Sequence, residues 1–158
     1  MSYSAIAVAN ALITHAQATR LRITPTRLQL LLYLVQSYHL KTQRSPLFDD
    51  FFVRSSGGPR IPSIHHKVWA YDGLAIDRLI PTLCSDPDVR NIPHIPATDK
   101  LSWRLIRELL LNYGAVPEAE LLIWIVGVGS AWELSKADEV FTLATICADA
   151  ARLFNPGG

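Results

Sequence analysis

The chain has 158 residues, of which 49% are hydrophobic, 18% charged and 9% aromatic. That length supports one domain with a single sizeable core, and the composition excludes a disordered tail, a collagen-like fibre and a disulfide-built miniprotein. Fifteen basic against fourteen acidic residues leave a formal net charge of +1, a balance that argues against a dedicated nucleic-acid binder.

In chain order, Ser4 to Thr19 reads as an alanine-rich helix, with Ile6, Ala9, Leu12, Ile13 and Ala16 on one face. Thr24-Pro25 then starts a second helix, threonine capping it and proline at its first position. Its stripe of Leu28, Leu31, Leu32, Val35 and Tyr38, broadened by Leu30 and Leu34, runs to His39 and marks it as the central element. Phe51-Phe52-Val53 reads as a short strand or extended segment, and Ser55 to Pro59 as a turn. Pro62-Ser63 opens a short helix carrying Ile64, Val68 and Tyr71, stopped by Asp72-Gly73.

Four prolines make residues 81–98 a long surface connection. Asp99 caps a helix with Trp103, Ile106, Leu109 and Leu110, closed by Gly114. Pro117 starts the next, which runs through Trp124 to Val126 before Gly127-Val128-Gly129 breaks it. Ser135, with Asp138 and Glu139 behind it, reads as the capped start of the last helix. Residues 155–158 read as a frayed end. The fold class is therefore mainly α: one compact helical domain over 1–158 with about six helices, a short β-strand or hairpin near 48–62, and the proline-rich connection at 81–98.

No apolar run reaches the ~20 residues of a membrane span; the longest is Leu121 to Val128. The first residues lack a basic leader pattern, so no signal peptide is expected. Cys84 and Cys147 form no motif and read as free thiols, which suits the cytoplasm, Cys147 as a buried structural thiol. Charge is unevenly placed. Residues 1–70 hold Arg20, Arg22, Arg27, Lys41, Arg44, Arg54, Arg60 and Lys67 against Asp49 and Asp50, a local balance of +6, and the rest of the chain carries −5. Either the two halves attract one another, or the first half presents a basic face to an acidic partner.

Catalytic patterns are missing. Gly57-Gly58-Pro59-Arg60 matches neither a Walker loop nor a dinucleotide fingerprint, and an anion or acidic side chain is the only ligand that Arg54 and Arg60 beside it would take. His65 and His66 are adjacent on a helix and point apart, so they do not share a metal. Cys84 lacks a histidine signature, Gly129-Ser130-Ala131-Trp132 lacks the nucleophile elbow, and Asp49-Asp50 and Asp86-x-Asp88 are ordinary loop carboxylates. No enzyme activity, cofactor or metal is expected. Trp69, beside Lys67, and Trp132, after the glycine break, are the tryptophans to test at a partner surface.

The first half resembles the Panacea domain, the family of SocA-like antitoxins and phage proteins. Thr24-Pro25-Thr26-Arg27-Leu28-Gln29-Leu30-Leu31-Leu32-Tyr33 is similar to the family's Thr-Pro-led helix. Pro46-Leu47-Phe48 is similar to its Pro-Leu-Phe segment, and Gly58-Pro59-Arg60-Ile61-Pro62 to its Gly-Pro turn, with Arg60 as the odd residue. Lys67 to Gly73 approximates the motif that follows, and Ser130-Ala131-Trp132 resembles a late small-Pro-Trp element without its proline. The likeness covers Ser4 to Gly73 and extends beyond only in layout. It departs where the family carries Glu-Ala-Trp and this chain has Val53-Arg54-Ser55.

The resemblance implies a helical domain that neutralises a cognate toxin by direct binding, in SocA-like members as an adaptor to a cytosolic protease. The residues chosen for partner binding are Arg54, Arg60, His65, His66 and Trp69. The alternatives are a phage or mobile-element protein that binds and inhibits a host complex, and a nucleic-acid-binding regulator, which is less favoured.

Overall fold

The computed structural model describes residues 2–83 and 90–154. Helix α1 spans Ala5–Ala18, with the Ser4 hydroxyl accepting from the Ala7 N–H as its cap. Helix α2 spans Pro25–Gln43, capped by Thr24 on the Arg27 N–H. It runs a turn beyond His39 and ends on Arg44 in the left-handed region at φ 61°. Every residue from Leu28 to Ser37 is buried, as expected of a helix apolar around most of its circumference. A ring of elements covers it.

After α2, strands β1 (Val53–Ser55) and β2 (Gly58–Arg60) form an antiparallel hairpin with Val53 opposite Arg60. The strand therefore starts where the aromatic run ends; Phe48 and Phe52 enter the core and Phe51 is exposed. Gly58 sits at φ +107°, and a side chain there would press Leu122 and Leu30, so this position requires glycine. Helix α3 (Pro62–Val68) follows and tightens into a 3-10 turn at Trp69–Tyr71.

The proline-rich connection differs from its expected form. It contains a second antiparallel pair, β3 (Thr82–Leu83) with β4 (Arg90–Asn91), and it is pinned to the core. The Asn10 amide, 1% exposed, donates to the carbonyls of Ile80 and Pro93 (2.9 and 2.8 Å) and accepts from the Ile80 N–H (2.7 Å). Cys84, Asp86, Asp88 and the expected frayed end at 155–158 lie outside the described residues.

Helix α4 (Lys100–Tyr113) is capped by Asp99. Gly114 closes it in the right-handed region at φ −62°, not in a left-handed cap. Glycine is needed there for space: a Cβ would lie 2.5 Å from the Leu110 carbonyl oxygen and 2.7 Å from the Leu21 side chain. Helix α5 (Glu118–Ile125) starts after Pro117, and a short α6 (Ala131–Leu134) brings the α-helices among the described residues to seven.

The last helix, α7, spans Leu143–Phe154, eight residues later than the Ser135 start. Ser135 closes α6 instead, its hydroxyl donating to the Trp132 carbonyl. Residues 138–141 run beside the first hairpin: the Phe141 N–H donates to the Phe52 carbonyl and the Arg54 N–H to the Glu139 carbonyl. Backbone pairing with this open hairpin edge overrides the local capping pattern. Thr142, accepting from the Thr145 N–H, caps α7. Cys147 is half-buried, less enclosed than expected.

One hydrophobic cluster draws on every helix from α1 to α7. Within it, Tyr33 is fully buried, edge-on to Phe52 at 5.2 Å. Its hydroxyl donates to Asp149 at 2.5 Å, and burial, followed by the Asp149 charge, pushes its pKa far above 10.0. Asp149 is also held by Arg152 at 2.7 Å, whose remaining nitrogens donate to the Trp124 and Ile125 carbonyls at the end of α5.

Candidate functional site

One buried amide on α2 lines an open cavity. Gln29 donates to the Ile61 carbonyl and accepts from the Ile61 N–H, at 3.1 and 2.9 Å, and so fixes the start of α3. Gln36 performs the same service one face-repeat on, holding Phe48 and Leu47. Between the first hairpin and α3 a cavity of about 270 Å³ remains, floored by Gln29 and the first turn of α2.

Three of the five partner-binding candidates meet there. Arg60 at the end of β2, His65 on α3 and Trp69 at the start of the 3-10 turn all line the cavity, as does Asp72. Arg60 and His65 are half-buried, while Trp69 is 64% exposed. Burial, reinforced by the charges of Arg60 and His66, holds the His65 pKa below the usual histidine value. The other two stand apart. His66 is exposed on α3, its ring 6.1 Å from that of His65. Arg54 is engaged within the fold: it lies 4.0 Å over the Trp132 ring and donates to the Ser135 carbonyl.

Trp132 is engaged likewise, its indole N–H donating to the Ser55 carbonyl at 2.6 Å. Its distance in sequence from the hairpin concealed that contact. Trp103 donates to the carbonyls of Ile95 and Pro96, and Trp124 packs against Tyr113 and Phe154. Trp69 is thus the one tryptophan with a largely exposed ring.

A second cavity, of about 480 Å³, has Tyr3, His39 and Asp99 in its wall. Sequence reasoning assigned Asp99 only a capping role. The Tyr3 hydroxyl donates to Asp99 at 2.5 Å; burial and that bond push the Tyr3 pKa up to about 12. Burial would raise the Asp99 carboxyl, but the hydrogen bonds from Tyr3 and Ser102 outweigh it and hold the pKa below the ordinary value. Tyr3, Ser102 and Asp99 thus bond one another, whereas Arg60, His65 and Trp69 at the other cavity have no side-chain partner among the described residues. Among the described residues no three His, Cys, Asp or Glu side chains gather closely enough to hold a metal ion, and no helix is long and apolar enough to cross a membrane.

Comparison with protein-family models, with curated proteins and with solved structures found no match to this chain.

Proposed function

We propose that this chain is a non-enzymatic, cytoplasmic protein-binding domain, a Panacea-like antitoxin that neutralises a cognate toxin by direct binding. The observation that carries this reading is the convergence of Arg60, His65 and exposed Trp69 on one open cavity. Arginine and tryptophan are the side chains in which binding energy at protein interfaces concentrates. The motif order from Thr24 to Gly73 supports the family, and the free thiol of Cys147 supports a reducing compartment. Delivery of the toxin to a protease is the finer form of the same role.

The test is co-expression with the product of the adjacent open reading frame, reading growth and co-purification. Rescue of growth by the wild-type chain, lost in Trp69→Ala with an unchanged circular dichroism spectrum, is the result expected. A neighbour that is neither toxic nor bound overturns the reading. A stable complex with a host protein in its place would favour the inhibitor of a host complex.

A further inference from the structure

The basic surplus of the first 70 residues is not cancelled by ion pairs among the described residues. Asp50 accepts from the Ala5 N–H (2.7 Å) and the Ser63 hydroxyl (2.8 Å), and Asp49 from the Ser2 hydroxyl (2.5 Å). The ion pairs among the described residues are Arg78–Asp77 and Arg152–Asp149, so none of the eight early basic residues meets a carboxylate there. Among the described residues, ion pairs between the two halves therefore do not use that charge. Arg60 adds five unpaired donors at the cavity, and the His65 ring and Trp69 indole N–H are likewise unpaired among the described residues.

Resting on the protein-binding reading above, we propose that this cavity takes the carboxylate of an Asp or Glu side chain on the surface of a partner protein. Arg60 grips the two oxygens, His65 supplies a further donor, and the Trp69 ring covers the aliphatic stem. A planar guanidinium matches a carboxylate in fork geometry and gains most where the pair is partly screened from water. A nucleic-acid strand fits less well. Its regularly spaced phosphates need a basic stripe, whereas here Asp72 shares the wall with Arg60.

The charge environment of His65 adds a signature. Arg60 and His66 disfavour its protonation in the free chain, and Asp72 is the remaining charged group lining the cavity. An incoming carboxylate opposes these influences, raises the His65 pKa, and makes binding take up a proton. Affinity therefore rises as pH falls from about 8 to about 6.

The experiment is a nuclear magnetic resonance titration of the full chain, following the Trp69 indole N–H and the His65 ring. The probes are a blocked Gly-Glu-Glu-Gly peptide, its Gln-for-Glu counterpart, and oligothymidylate. The glutamate peptide should move both resonances and raise the His65 pKa, and Arg60→Gln should weaken it about tenfold or more. Arg60→Lys, which keeps the charge and loses the fork, should fall between. Silence of both resonances, an equal response to the glutamine peptide, or tighter binding of oligothymidylate each overturns the proposal. The co-expression assay separates it from the broader reading. If Trp69→Ala abolishes neutralisation while Arg60→Gln preserves it, the carboxylate grip fails and the neutraliser stands. If the neighbour is neither toxic nor bound while the peptide titration succeeds, the reverse holds.

Discussion

Two polar clusters adjoin α2 in opposite states. At Tyr33, Asp149 and Arg152 the hydroxyl, the carboxylate and the guanidinium all find partners inside the fold. At the cavity under the first hairpin, Arg60, His65 and Trp69 have none among the described residues. The first cluster is buried, where a missing partner costs the full desolvation of the group left behind. The second is open to water, which satisfies it until something displaces that water. Saturation marks architecture, and open valence on a concave surface marks recognition.

Disrupting the saturated cluster should have the largest effect. Asp149→Ala strands the Tyr33 hydroxyl and removes the counter-charge of Arg152, and urea denaturation should show a loss of about 3 kcal/mol. Asn10→Ala frees the Ile80 N–H and two carbonyls, so a loss of about 2 kcal/mol is expected. Hydrogen exchange should place it at Ile80, and an unchanged Ile80 amide would refute the anchoring role. Gly58→Ala forces a side chain into φ +107° against Leu122 and should cost about 1–3 kcal/mol.

The pH response sharpens the same contrast. The folded-state pKa of Tyr33 lies above its unfolded value of 10.0, so above that pH the folded chain holds a proton that the unfolded chain releases. Its contribution is complete at neutral pH and is lost as pH rises beyond about 10. Tyr33→Phe should flatten that alkaline decline in denaturation measured across pH, relative to wild type. The smallest effect on folding belongs to the open cluster. Arg60→Ala and Trp69→Ala should each change stability by less than about 0.5 kcal/mol, while binding is lost. A large destabilisation by either would assign that residue to the core.

Much of the helical framework was legible in local sequence. Thr24 and Asp99 cap the helices they announced, and the broad apolar stripe from Leu28 to Val35 predicted a central helix. The start of α7 was not legible, because Ser135 offers a good cap in isolation and loses to backbone pairing with the hairpin. Nor were the roles of Asn10, Gln29 and Gln36, whose partners lie 70 and 83, 32, and 11 or 12 residues away. Arg54 looked equivalent to Arg60 in sequence; the fold lays it over Trp132 and separates the two.

Periodicity, prolines and caps act over a few residues, so the sequence by itself determined where most helices begin, which of them is central, and that arginine crowds the first half. Which arginine faces the outside, which tryptophan stays uncovered and which polar groups answer one another depend on segments brought together from distant parts of the chain. Only the tertiary structure decided those, because hydrogen-bond valence is filled by proximity in space and not by spacing along the backbone.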